Sequence, residues 1–247
     1  MDENTLLELL RQLFATYGAS QPINTGLLPL NVFVNVVQWS AIILSALVGV
    51  YEARRRELDF TGALVVACAV SFGGGTLRDM MLGRTPLFWI TSPIYFVTVL
   101  IVALFGHFVV SHGERARGLT AAVISPVWNV LRSDHMPFWL IALDALALGL
   151  WAYLGASIAL THGSAWLVAP VLGVMTASFG GVLRDIFFAQ VPTVFKRGQL
   201  YAICAFWGSV AYVAVYALTR EVVAAFVLCV LVTFLMRMAA VKFNIVT

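Results

Sequence analysis

The sequence predicts an all-α integral membrane protein with seven transmembrane helices, arranged as two inverted three-helix repeats plus a seventh helix. Three observations carry this fold class. Of 247 residues, 61% are hydrophobic and only 11% charged, with a mean hydropathy of +0.93. Seven apolar runs approach or exceed the roughly 20 residues that cross a bilayer. A Gly-Gly-x-Leu-Arg-Asp motif occurs twice, at Gly74–Asp79 and at Gly180–Asp185.

The composition excludes several classes. A soluble domain is about 45–50% apolar and about 25% charged, so this chain cannot cover a soluble surface with polar side chains. A net charge of +3, from 15 basic and 12 acidic residues, is too small to imply nucleic acid as a partner. Cys68, Cys204 and Cys229 lie singly in apolar runs and read as packing residues. His107, His112, His135 and His162 have no paired spacing, so no metal site and no cofactor is expected.

Residues 1–30 form an N-terminal extension with no secretory signal. Leu6, Leu10, Leu13, Phe14 and Tyr17 share one face of a short helix expected to lie on the membrane surface. The first repeat, 31–111, holds runs at 33–51, 60–83 and 93–111. The second, 138–219, holds runs at 138–160, 165–188 and 200–219, and a last run at 221–240 opens the C-terminal segment 221–247. The runs are continuous rather than alternating, which excludes a β-barrel. Tyr51, Trp89, Tyr95, Trp139, Trp166 and Tyr201 sit near their ends, as in interfacial belts.

Basic residues set the orientation. With seven spans, Arg54, Arg55, Arg56, Arg115, Arg117, Arg132, Lys196, Arg197, Arg237 and Lys242 fall on one side, against Arg11, Arg84 and Arg220 on the other. The bias places the N-terminus outside and the C-terminus in the cytoplasm.

The two motifs are 106 residues apart, and the same displacement pairs Pro86 with Pro192, Tyr95 with Tyr201, Ala46 with Ala152 and Gly49 with Gly155. Each unit has an odd number of spans, so the copies are inverted, an arrangement typical of channels and secondary transporters. Gly73, Gly74 and Gly75, and again Gly180 and Gly181, interrupt apolar helices, where each glycine costs about 1 kcal/mol relative to alanine. They are expected to break the second and fifth helices beside a pathway; close helix packing is the alternative. A phosphate loop is excluded by the missing Gly-Lys-Ser/Thr ending.

Arg78, Asp79, Asp144, Arg184 and Asp185 fall within or beside apolar runs, where exposure to lipid is costly, so they should meet partners or water. Their sum of −1 favours a cation. Adjacent Arg78 and Asp79 are expected to diverge on their helix, which leaves open a cross-pairing such as Arg78 with Asp185. Asp144 has Gln38 at its counterpart in the first repeat, and both are expected to line the path.

Ser71 to Ile90, containing Gly73-Gly-Gly-Thr-Leu-Arg-Asp79, followed by Pro93 and Tyr95, resembles the signature of prokaryotic trimeric intracellular cation (TRIC) channels; Asp144 to Asp185 fits the same pattern. The resemblance covers about residues 31–240. It implies a homotrimer with a pore in each protomer, conduction of K⁺ and Na⁺, and kinked second and fifth helices. Some bacterial relatives are linked instead to glycine transport. The family often has Asp where this chain has Gln38, and Phe179 replaces the first glycine of the second triplet. No basic motif for phosphoinositide is carried over, although Arg54, Arg55 and Arg56 suit anionic lipid.

The expected protein is thus a monovalent cation channel of a prokaryotic inner membrane. Its partners are membrane lipids and further copies of itself, and bound lipid and the permeant ion are its only expected ligands. A secondary transporter of a small solute such as glycine is the alternative. An enzyme is excluded on the missing nucleophile–base pair.

Overall fold

A computed structural model of the chain describes residues 30–113, 138–196 and 200–245. Its helices are α1 (Leu30–Arg55), α2 (Phe60–Met81), the short α3 (Phe88–Thr91), α4 (Ile94–Gly113), α5 (Phe138–Thr161), α6 (Val168–Phe187), α7 (Tyr201–Thr219) and α8 (Val222–Lys242). There is no strand among the described residues. The extension 1–29 with its expected surface helix, and Arg115, Arg117, Arg132 and Arg197, lie outside them.

Six helices are long and apolar enough to cross a membrane: α1, α2, α5, α6, α7 and α8. The third predicted run corresponds to a shorter apolar segment, Ile94–Val109, within α4. The chain is a multi-pass membrane protein. Helix ends follow local chemistry. Asp59 caps α2 by accepting from Gly62 N at 2.7 Å, as short acidic side chains do at helix starts. Arg220, in the left-handed region at φ 61°, stops α7, and α8 begins two residues later.

α5 is the centre of the bundle. Apart from Asp144 it is apolar nearly all round, as suits a helix buried on most sides. Its residues Ala145 and Ala147–Ser157 are all buried, packed against α1, α6, α7 and α8. Lipid competes equally for apolar side chains, so association of such helices depends on close fit between small residues. A methyl added at Gly49 would lie 2.8 Å from Ala67 Cα, and one at Gly155 would lie 2.7 Å from Gly173 Cα. Outside the bundle, Val36, Val65, Ile101, Phe105, Leu218 and Leu235 are exposed, as suits a surface facing acyl chains.

Two sequence expectations are corrected. The glycines break neither helix: α2 and α6 run without interruption through Gly73–Gly75 and Gly180–Gly181. Their local cost is offset by the close approach they allow. The aromatic belts are also only partial. Tyr51 and Tyr95 are 2% and 6% exposed, because each faces neighbouring helices rather than an interface.

Candidate functional site

α2 and α6 cross at the two glycine motifs. A methyl group at Gly74 would collide with Thr176 O, and one at Gly180 with Val70 O. These contacts exchange under the sequence displacement: Gly74 corresponds to Gly180, and Thr176 to Val70. Such self-complementarity is what a two-fold relation produces. Gly73 also faces α6, where a methyl would lie 3.4 Å from Gly180 Cα, at the edge of an apolar groove with Cys68, Phe72 and Leu183 that contains no ionisable carboxylate or base.

The arginine–aspartate pairs are stapled within each motif, which corrects the expected divergence and the cross-pairing. Asp79 Oδ1 accepts from Arg78 Nε at 2.9 Å and lies 2.8 Å from its Nη2. Asp185 Oδ1 does the same with Arg184, at 2.9 and 2.8 Å. The arginine side chain is long enough to fold back over the next residue. Each second carboxylate oxygen then holds the chain beyond the helix: Phe88 N donates to Asp79 Oδ2 at 3.0 Å, and Thr193 N to Asp185 Oδ2 at 2.6 Å. Arg84 adds a third partner to Asp79, at 3.0 Å.

Beyond the second staple lies a polar cavity of about 380 Å³. Asp144 on α5, Ser178, Gly181 and Arg184 on α6, Tyr201 on α7 and Arg237 on α8 line it, with Glu52 and Arg55 of α1. Tyr201 donates its hydroxyl proton to Asp144 Oδ1 at 3.3 Å. The Arg237 guanidinium lies over the Tyr201 ring, 4.9 Å from its centre. Arg55 approaches Glu52 at 3.9 Å. Carboxylates, guanidiniums and hydroxyls therefore share one cavity, large enough for several waters.

The first repeat is different. Gly181 borders the polar cavity, and a methyl there would meet only Arg184 Nη2, at 3.8 Å. At Gly75 the same methyl would lie 2.5 Å from Phe88 Cε1. Phe72 stands at the counterpart of Ser178 and Gln38 at that of Asp144. Gln38 is buried and does not line the polar cavity. Arg78 is 0% exposed under Phe88, whereas the Arg184 side chain is 15% exposed.

Sequence reasoning brought Asp144, Gly181 and Arg184 to this cavity. It missed Glu52, Tyr201 and Arg237 as site residues, because they occur at span ends where charge and aromatic rings are ordinary. Arg56 lies apart, over the Phe188 ring at 4.8 Å. Among the described residues no group of His, Cys, Asp and Glu could hold a metal ion.

Known proteins agree with this doubled architecture. The profile of a family described as Glycine transporter matches residues 35–111 and again 141–217. A UPF0126 membrane protein of Vibrio cholerae is 28% identical over 201 residues, 81% of this chain and 75% of that protein. The UPF0126 inner membrane protein YadS of Escherichia coli is 27% identical, over 85% of this chain and 94% of that one. Among solved structures, the TRIC trimeric intracellular cation channel orthologue from Rhodobacter sphaeroides superposes with a TM-score of 0.70 at 30% identity, covering 86% of this chain and 99% of that one. A second TRIC cation channel structure gives a TM-score of 0.70 at 25% identity, covering 86% of this chain and 95% of that one. By sequence over most of its length and by fold, the chain belongs to this Glycine transporter family and to the prokaryotic TRIC family.

Proposed function

We propose that the protein is a monovalent cation channel, passing K⁺ and Na⁺ through a pore in each protomer of a homotrimer. The observation that carries this reading is the polar cavity around Asp144 and Tyr201, at the end of the glycine crossing between the repeats. Polar groups turned inward among apolar helices mark ion and substrate paths. The resemblance to TRIC cation channels supports both the ion and the trimer. The repeats are read as inverted, with α4 as the third of seven spans. Gly73, Gly74 and Gly180 permit the crossing that frames the path, Gly75 lies beneath Phe88 and Gly181 borders the cavity, while Arg78, Asp79, Arg184 and Asp185 hold its walls.

The basic-residue bias orients the chain with its N-terminus outside and C-terminus in the cytoplasm of a prokaryotic inner membrane. The cavity then opens to the cytoplasmic face, and Arg54, Arg55 and Arg56 stand at the level of anionic headgroups. Purified protein in planar bilayers tests the main reading: unitary K⁺ currents are expected, and their absence in active-size trimers would reject it.

One observation favours a second reading. Arg184 and Arg237 face Asp144 and Glu52 within the same cavity, so both ends of a zwitterion find an opposite charge. This suits carrier-type uptake of glycine, consistent with the family's description. Saturable glycine uptake into proteoliposomes, without unitary currents, would select it.

A further inference from the structure

The two repeats share a helical plan but not a polar cavity, and Phe88 fills the space that the cavity occupies beside Gly181. We propose that Phe88 closes a second polar cavity, the first-repeat counterpart of the one around Asp144, and that Phe88 withdraws from Gly75 when the path is continuous. The inference rests on the reading of the Asp144 cavity as part of a permeation path.

Three independent features converge on this residue. First, Phe88 fills the space above Gly75, whereas Gly181 borders open cavity. The counterpart of Phe88 is Val194 by sequence displacement, or Thr193 by its bond to the stapling aspartate. Either is a small β-branched residue that leaves the space empty. Second, the neighbours of the ring include other rings, with centroids 6.1 Å from Phe72, 6.0 Å from Tyr95 and 6.2 Å from Trp151, and a phenyl side chain makes no hydrogen bond to any of them. Rings can move past one another without breaking a hydrogen bond. Third, Arg78 Nη1 is buried with no hydrogen-bond partner among the described residues, and its guanidinium carbon lies 5.5 Å from the Phe88 ring centre. A buried cation with an unmet donor is costly, and water entering behind a displaced Phe88 would relieve it.

The backbone allows such a displacement. Phe88 begins α3, a single turn, and is tied to α2 through its own N–H and Asp79. Rotation of the side chain leaves that tie in place. Apolar constrictions stop ions by excluding water, so an aromatic ring over a polar wall is a sufficient barrier. Gln38, the counterpart of Asp144 and itself buried, carries no charge to draw water into that side.

Thiol accessibility tests the proposal without requiring transport. Gln38→Cys, in the full-length chain, is treated with a charged methanethiosulfonate reagent and read by mass spectrometry of the modified peptide. With Phe88 present, the introduced thiol should react slowly. With Phe88→Val it should react about tenfold faster or more, since the open form would cease to be a minor state. Phe88→Leu should fall between the two, and it decides the matter alone if Phe88→Val does not yield monodisperse protein. Equal rates with Phe, Leu and Val at position 88, or fast reaction in the Phe88 background, would overturn it. Faster labelling in a protein that carries no K⁺ current would leave the closure standing and remove the channel reading instead.

Discussion

Trp151 donates from its indole Nε1 to Ser45 Oγ at 2.9 Å, deep between α5 and α1. The two residues lie 106 positions apart, so each is the other's counterpart in the doubled sequence. Counterparts that touch mark the place where two related halves meet. The Gly74 and Gly180 contacts cross over at a second such place. A duplicated sequence has here become a single interface, and its two halves differ in the side chains set against it, Phe72 against Ser178 and Gln38 against Asp144.

That bond should contribute modestly. Interhelical hydrogen bonds inside membrane bundles average about 0.6 kcal/mol. Trp151→Phe should therefore lower the thermal midpoint of the purified protein by only a few degrees, and Ser45→Ala by a similar amount. The double variant should be no worse than the poorer single one, because both remove the same bond. Additive losses would show that each residue acts through packing alone.

The glycines separate more sharply. Gly74→Ala and Gly180→Ala each drive a methyl into a facing backbone carbonyl, which cannot rotate away as a side chain can. Overpacking of this kind costs about 1–3 kcal/mol. Gly181→Ala adds its methyl where only Arg184 Nη2 is near. The first two variants should lose heat stability or monodispersity in detergent, while the third keeps native stability. A Gly74→Ala protein as stable as the wild type would refute the crossing as described.

The stapling aspartates should differ in weight. Asp79 answers Arg78, Arg84 and Phe88 N together, and Arg78 has no access to water. Breaking a buried pair by removing one partner costs about 3–5 kcal/mol. Asp79→Asn should severely reduce folded yield. Asp185→Asn should be milder, since Arg184 borders the cavity and can be hydrated there. Heat-stability measurements on both variants in the same detergent compare them directly.

These contrasts show what the sequence made legible. The spans were readable because a membrane helix must be continuously apolar, but the central place of α5 was not, since α4 and α8 are as evenly apolar in sequence. The duplicated motif was readable as well, but its role was not. Consecutive glycines look like a helix break when only local propensity is weighed, and the carbonyls of Thr176 and Val70 that make them necessary are about a hundred residues distant. Asp144 was visible as a carboxylate in an apolar run. Arg237 and Glu52 were not, since a charge near a span end is ordinary until the fold turns it inward. Phe88 gave no signal at all in a stretch where aromatic residues also suit an interface. Its importance appears only beside Gly75 and the opposite repeat.

Charge in the cavity provides the remaining prediction. Asp144 is flanked by Arg184, Arg237 and the Tyr201 hydroxyl. Removing its charge leaves the guanidiniums less balanced and the local potential more positive. Asp144→Asn should then reduce K⁺ flux, while Arg237→Gln should raise it. Partly screened charges at this range shift ion occupancy by about 1 kcal/mol, or roughly fivefold. The effect of each should shrink at high salt. Flux of K⁺ and Cl⁻ into proteoliposomes, compared at low and high ionic strength, reads all three outcomes. If Asp144→Asn leaves the K⁺ to Cl⁻ ratio unchanged at low salt, the cavity does not lie on the ion's route. Loss of glycine uptake with both substitutions, and no change in K⁺ flux, would assign the same charges to a carried zwitterion.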